Sequence, residues 1–380
     1  MKRLAFIIFF NAIALMLLGL VIVMSASSTY SVFKFESVFH LFNSHLFKVG
    51  LGILFMILFC FVPYELYKGF SKWALIAAAV VLVITLIFAP NIKGAARSLD
   101  LGIVSLQPAH IAHLLLIIHL AVLLEDKTNL IDNFRHGFMY LFIWVILISG
   151  LIMIQPNISN GILLIMISLT IMYVGGSRLK HIFVSLFGVI TASGIAALIY
   201  PHSRGRIFSF VYSIQNGGDI NLQVKQALYG LGSGGITGVG VGNSMQNNLF
   251  LPEAYGDFIF AILGEELGFI GAVLVLGSFF ALFIAGIMVA KKTKDRFGQI
   301  LAFGITISII TYAFVNIAVT TGLLPTTGLP LPFISYGGTS LLFLSISVGI
   351  LLNIALSNEA TNKSDDVLVR NEFPMEQVEI

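Results

Sequence analysis

Ten apolar runs divide this chain, and their length limits what it can fold into. Each approaches the ~20 residues that an α-helix needs to cross the hydrocarbon core of a bilayer. They lie near 5–24, 47–63, 73–89, 109–124, 138–154, 160–174, 182–200, 267–290, 299–321 and 338–357. Backbone N–H and C=O groups at that depth meet no water, so each must be paired within its own segment, and each run reads as a helix. The expected fold class is an all-α polytopic membrane protein, with about ten transmembrane helices and one large extracytoplasmic loop. Charged residues make up 10% of the chain, against ~25% in an average soluble domain, which excludes a soluble globular fold. Met1-Lys2-Arg3 ahead of the first run looks like the start of a signal peptide. The run nevertheless exceeds the ~7–15 residues of a secretory h-region, so it reads as an uncleaved first helix. The lone cysteine, Cys60, permits neither a disulfide nor a thiol cluster.

Lys and Arg in short loops are retained on the cytoplasmic side. With the N-terminus inside, most of the 21 basic residues fall in the cytoplasm, while Lys34, Lys48, Lys93, Arg97, Arg204, Arg206 and Lys225 fall outside and ask for a functional explanation. An even number of spans returns the C-terminus to the cytoplasm. Residues 1–357 form the membrane domain, and the polar tail 358–380 is expected to be cytoplasmic and disordered. Between the seventh and eighth spans, residues 201–258 form a large extracytoplasmic loop, too long for a simple connection. Its stretch Gly230-Leu-Gly-Ser-Gly-Gly-Ile-Thr-Gly-Val-Gly-Val-Gly242 contains G-x-G-x-x-G. No strand precedes it and no Lys-Ser/Thr completes a P-loop, so a nucleotide site is rejected. Two readings stay open: tight turns with close backbone packing, or backbone N–H groups facing an anionic ligand.

The loop ends in Leu251-Pro-Glu-Ala-Tyr-Gly-Asp-Phe-Ile-Phe260, followed by Gly264-Glu-Glu-Leu-Gly268, so four carboxylates gather where the chain re-enters an apolar segment. A carboxylate at a membrane is costly and marks a functional candidate. Asp257 is the candidate general base or metal ligand, with Glu253 and Glu266 as helpers. The plainer alternative places Glu265 and Glu266 in the first turns of a helix, where its dipole favours them. Arg97, Arg204, Arg206 and Lys225 supply cations at the same face, suited to a phosphate-bearing substrate or to anionic lipid headgroups.

Gln107-Pro108 and Gln155-Pro156 each open an inward-running helix, with Pro where a missing N–H is harmless. His110 and His113 lie three apart on one helical face, with His119 further along; a metal site lacks an identifiable third ligand, so hydrogen bonding within the bundle is the expectation. The segment from Gly322 to Ser340, with three prolines and four glycines, interrupts a charge-free stretch from Phe297 to Asn358. It reads as a re-entrant or outer-face loop whose hydroxyls and amides, Ser335 among them, border a site.

At these residues the sequence resembles the shape, elongation, division and sporulation family of FtsW, RodA and their sporulation relative, over nearly the whole chain. The resemblance is carried by Gly232-Ser-Gly-Gly235 through Gly242-Asn-Ser244, Leu251-Pro-Glu-Ala with Asp257-Phe-Ile-Phe-Ala261, Gly264-Glu-Glu-Leu-Gly268, and Gly322-Leu-Leu-Pro325 through Gly328-Leu-Pro-Leu-Pro-Phe-Ile-Ser-Tyr-Gly-Gly338. The forms Gly238-Val-Gly-Val-Gly-Asn-Ser244 and Gly264-Glu-Glu resemble the FtsW branch more than RodA. The resemblance implies a ten-helix protein of the bacterial cytoplasmic membrane, both termini cytoplasmic, that polymerises lipid II into β-1,4 glycan strands on the outer face for cell division. Lipid II is the undecaprenyl-diphosphate-linked disaccharide-pentapeptide. The implied partners are a class B penicillin-binding protein and other divisome or elongasome membrane proteins, with no nucleic acid. Asp257 matches the family's essential acidic residue and would take the proton of the acceptor's 4-hydroxyl. Arg97, Arg204, Arg206, Lys225, Glu253, Glu266 and Ser335 are expected around the substrate. The resemblance fixes no cofactor; a divalent cation at the leaving diphosphate is the one candidate, with its ligands unassigned.

The chain departs from the family pattern at three places. The family's Gln-Pro-Ser-Glu-x-x-Lys reads Gln107-Pro-Ala-His-Ile-Ala-His113, Gln-Pro-Asp reads Gln155-Pro-Asn157, and two basic residues before a Trp read Ala96-Arg97-Ser98. The joint loss of Glu and Lys suggests that a His-based contact replaces an ion pair. An elongation polymerase like RodA, a lipid II flippase and a weakly catalytic division scaffold are the alternatives.

Overall fold

The computed structural model describes residues 1–88, 99–100, 105–128, 130–155, 157–199, 201–216, 221–247, 250–252 and 254–372. The helices are α1 (Lys2–Phe35), α2 (His40–Phe61), α3 (Leu66–Phe88), α4 (Pro108–Asp126), α5 (Met139–Ile154), α6 (Ile158–Val174), α7 (Leu179–Ile199), α8 (Pro201–Asn216), α9 (Leu222–Ser233), α10 (Ile259–Lys292), α11 (Arg296–Thr320) and α12 (Thr339–Glu372). A two-residue antiparallel ladder, β1 (Leu99–Asp100) with β2 (Ser105–Leu106), lies between α3 and α4 and pairs Leu99 with Leu106. Eight helical segments are long and apolar enough to cross a membrane. Two shorter apolar ones, α6 and the Leu179–Thr191 part of α7, complete the ten expected from the sequence. The chain is thus an integral membrane protein of the all-α class. Both α8 and α9 lie within the expected extracytoplasmic loop, so much of that loop is helical.

Three boundaries differ from expectation, each for a physical reason. The first helix continues past the bilayer-length run to Phe35, through a serine-rich segment in which Ser25 and Ser28 bond other parts of the protein. The eighth span was expected from 267, but α10 begins at Ile259 and is broken at Gly268, whose φ of 66° and ψ of −166° are non-helical. Residues 259–267 therefore form a separate short helix on the near side of a kink. Finally, α12 does not stop at Asn358: its backbone stays helical to Glu372, in a stretch that holds neither Pro nor Gly before Pro374.

The bundle is centred on α1, α4, α10, α11 and α12. Along α4, Leu116, Ile117, Leu120, Ala121 and Leu124 are all buried, so the helix is covered on nearly every side and amphipathic periodicity carries no signal. The irregular segment between α11 and α12 enters the bundle rather than lying across its top. Phe333 and Ile334 are buried, and a Cβ built on Gly19, midway along α1, would lie 2.8 Å from both Ile334 Cα and the Phe333 carbonyl oxygen. Non-helical backbone at membrane depth is tolerated because protein surrounds it. Gly19→Val is expected to cost about 1–3 kcal/mol, as overpacking against rigid backbone does. It should lower the thermal unfolding midpoint in detergent, and an unchanged midpoint would contradict this placement of the loop.

Candidate active site

The glycine run of the long loop folds back on the short helix 259–267. Val239 N–H donates to the Glu265 carbonyl and Gly240 N–H to that of Glu266, both at 3.0 Å, while Phe269 N–H donates to the Gly235 carbonyl at 2.9 Å. A Cβ on Gly238, whose φ is +82°, would sit 2.1 Å from the Glu266 carbonyl oxygen, so this approach requires glycine. The side chains of Glu265 and Glu266 are each 1% exposed and point into the same loop. The Glu265 carboxylate accepts from Met245 N–H at 3.0 Å, Gln246 N–H at 3.4 Å and the Ser244 hydroxyl. Glu266 accepts from Gly242 N–H at 3.1 Å and from the Ser25 hydroxyl of α1. The reading of the glycine run as tight turns with close backbone packing therefore holds, and the Gly242 N–H at its end faces a carboxylate of the chain itself, that of Glu266. The plainer reading of Glu265 and Glu266 as first-turn decoration does not describe them, since both are buried buttresses of the loop.

Asp257 lies just before the short helix, in a segment pinned from three directions. Tyr336 N–H donates to the Tyr255 carbonyl at 2.9 Å, the Ser335 hydroxyl to the Gly256 carbonyl at 2.7 Å, and the Asn316 amide nitrogen to the Asp257 carbonyl at 2.7 Å. Three consecutive carbonyls are thus each held by a donor from α11 or the loop that follows it. The same Asn316 nitrogen donates to the Leu329 carbonyl at 2.7 Å, and Ser335 Oγ accepts from Leu331 N–H at 2.7 Å, so the clamp also fixes the loop that forms it. Tyr255 is further packed between Tyr30 and Tyr336, with ring centroids at 5.2 and 5.7 Å.

The Asp257 carboxylate and the Arg206 guanidinium converge over the bare Cα of Gly328. A methyl group there would lie 3.4 Å from Asp257 Oδ2 and 3.9 Å from Arg206 Nη1, and the φ of +73° also favours glycine. Arg206 Nη1 donates to the Thr326 carbonyl at 3.3 Å. Burial pushes the Arg206 guanidinium below its usual range, and the negative charge of Asp257 opposes that shift. Beside them a cleft of about 440 Å³ opens between α8, α9 and the end of α11, lined by Arg206, Ser209, Asn221, Thr321 and Thr326 with Val224 and Leu228.

Of the residues expected at the site, Asp257, Arg206 and Ser335 come together. Arg204 is exposed on α8, and Lys225, partly buried on α9, is not part of the cleft lining. The described bonds of Glu266 run to Ser25 and the glycine run, not to Arg206 or Asp257. Arg97 and Glu253 lie outside the described residues. His113 bonds Ser308 at 3.0 Å and Tyr312 at 3.2 Å, and Tyr312 in turn bonds Asn160. With His110, the side chains of His113, Ser308 and Tyr312 line a space of about 500 Å³ between α4, α11 and α12. A His-based network therefore occupies this region, as the altered motif suggests. Among the described residues no three His, Cys, Asp or Glu side chains converge to hold a metal, and the neighbour of Asp257 is a cation. Sequence reasoning missed Asn316, although an amide far along an apolar helix is itself a signal of function in a membrane.

A family model described as cell cycle protein, covering FtsW, RodA and the stage V sporulation protein E, matches residues 5–360. The chain belongs to this family. It is 36% identical over 345 residues to stage V sporulation protein E of Bacillus subtilis, covering 90% of this chain and 94% of that protein. It is 33% identical over 352 residues to a probable peptidoglycan glycosyltransferase FtsW of Coxiella burnetii, covering 91% and 95%. The fold matches that of a chain in a peptidoglycan synthase complex that coordinates polymerisation and crosslinking, with a TM-score of 0.75 at 22% identity, over 92% of this chain and 97% of that one. It also matches RodA of Thermus thermophilus, with a TM-score of 0.68 at 23% identity, over 92% and 96%. Every described part of the clamp falls inside the family match.

Asn316 is 1% exposed, and replacing it with Leu removes a donor from the buried Leu329 carbonyl and from the half-buried Asp257 carbonyl. At about 1–3 kcal/mol for each unsatisfied group, Asn316→Leu should lower the unfolding midpoint measurably. Equal midpoints for wild type and variant would show that the clamp carries no stability.

Proposed function

We propose that this chain is an inverting peptidoglycan glycosyltransferase of the FtsW type, which polymerises lipid II at the outer face of the cytoplasmic membrane during cell division. The observation that carries this reading is the meeting of one carboxylate and one guanidinium over Gly328, with the same Arg206 lining a cleft on a membrane bundle. Family membership and the FtsW names of several relatives support the same activity.

In the proposed reaction the ionised Asp257 carboxylate accepts the proton of the acceptor sugar's 4-hydroxyl. That oxygen attacks the anomeric carbon of the donor, forming the C–O bond of a β-1,4 linkage. The bond from the anomeric carbon to the diphosphate oxygen breaks, and the polyprenyl diphosphate leaves with the electron pair. An α-linked donor gives a β-linked product, so the configuration inverts. Arg206, which faces the Asp257 carboxylate over Gly328, stabilises the charge that develops on the diphosphate.

The partner proposed is a class B penicillin-binding protein, consistent with the fold's occurrence in a complex that couples polymerisation to crosslinking. Orientation follows the basic residues, with both termini in the cytoplasm and α8 and α9 outside.

The test is polymerisation of purified lipid II by the purified chain with its cognate class B partner, read as glycan strands on a gel. Asp257→Asn should lower the rate by about 10²–10⁴, the range for loss of a general base. Arg206→Ala should cost about 10²–10³ in kcat, as loss of one charge-stabilising donor does. Strands formed at the wild-type rate by Asp257→Asn would overturn the assignment of the base.

A further inference from the structure

Lys48 is one of the basic residues on the outer half that the proposed reaction leaves unused. Its side chain, on α2, is buried and 9% exposed. Among the described residues no carboxylate pairs with it; its ammonium donates to the Tyr336 hydroxyl at 3.0 Å and lies 4.2 Å from the centroid of the same ring. Burying an ammonium costs several kcal/mol unless its partners compensate. Here the compensation is a phenol oxygen and the negative face of the same ring, so the arrangement couples the cation to one residue.

Tyr336 is the residue whose N–H holds the Tyr255 carbonyl, and its ring packs edge-on against Tyr255 at 5.7 Å. Its hydroxyl donates to Ser44 at 3.2 Å, and the buried ring of His45 stands 5.6 Å from its own. One end of Tyr336 is thus anchored to α2 by Lys48, Ser44 and His45. The other end grips the backbone two residues before Asp257.

We propose that Lys48 is a positioning residue: through Tyr336 it fixes residues 255–257 so that the Asp257 carboxylate meets the acceptor hydroxyl, without itself touching lipid II. This rests on the reading of Asp257 as the base. A displaced base still allows substrate to bind, so the loss falls on kcat rather than on KM.

The experiment measures lipid II polymerisation across substrate concentrations by the purified chain with its class B partner, for Lys48→Met, Lys48→Arg, Tyr336→Phe, the Lys48→Met/Tyr336→Phe pair and Asp257→Asn. Unfolding midpoints are recorded alongside. Lys48→Met should lower kcat about ten-fold or more with KM unchanged. Tyr336→Phe should do the same, the pair should be no worse than either single variant, and Lys48→Arg should recover most of the rate. A raised KM with unchanged kcat would make Lys48 a substrate contact and overturn the proposal. So would losses that multiply in the pair, or wild-type rates in both single variants. If Lys48→Met fails to fold, Tyr336→Phe and Lys48→Arg still decide: the first must lose kcat and the second retain it. If Asp257→Asn remains active, the base assignment fails and the positioning proposal falls with it. If Asp257→Asn is inactive while Lys48→Met and Tyr336→Phe are normal, only the positioning proposal fails.

Discussion

Three successive backbone carbonyls, those of Tyr255, Gly256 and Asp257, each receive a hydrogen bond from Tyr336, Ser335 and Asn316 in turn. The arrangement around Asp257 depends on this clamp. A loop segment leading into a membrane helix cannot satisfy its own carbonyls as a helix does, and at this depth water is a poor substitute. The donors are Asn316 of α11 and two residues of the irregular backbone that follows it, Ser335 and Tyr336. That backbone is irregular because prolines and glycines forbid a helix there, which leaves its amides and hydroxyls available. The clamp therefore converts a sequence that cannot be helical into a rigid support for one carboxylate.

A second set of contacts holds the glycine run against the same short helix. Glu265 and Glu266 are adjacent, buried and turned toward loop N–H groups and serine hydroxyls. Helix 259–267 thus has its start fixed by the clamp and its end by these carboxylates, and Gly268 then turns the chain into the long part of α10. The Ser25 contact ties the assembly to α1. Catalytic precision in this account comes from fixing both ends of a nine-residue helix, with Asp257 at its threshold.

Much of the fold was legible because membrane solvation leaves few options. Apolar length gave the spans, basic residues suggested orientation, and the proline-rich segment declared itself irregular. The starts of α10 and the reach of α12 were not legible, since apolar content does not reveal a kink at Gly268 or whether a polar stretch stays helical. At the site, Asp257, Arg206 and Ser335 could be singled out by charge, position and motif. Glu266 could not be distinguished from them, because a buried structural carboxylate and a functional one look alike in a sequence. Asn316 and Tyr336 were hidden for a different reason. Their roles depend on which carbonyls lie across from them, and that is set by packing between segments far apart in the chain.

The central claim is that the backbone clamp, and not charge alone, makes Asp257 effective. Asp257→Glu tests it most directly, because it keeps the carboxylate but displaces it by one methylene from a backbone that cannot shift to compensate. With fold and partner binding verified, the account predicts a loss of at least about ten-fold in kcat for lipid II polymerisation with little change in KM. Polymerisation by Asp257→Glu at the wild-type kcat would contradict it, since a site that tolerates that displacement has no need of the clamp.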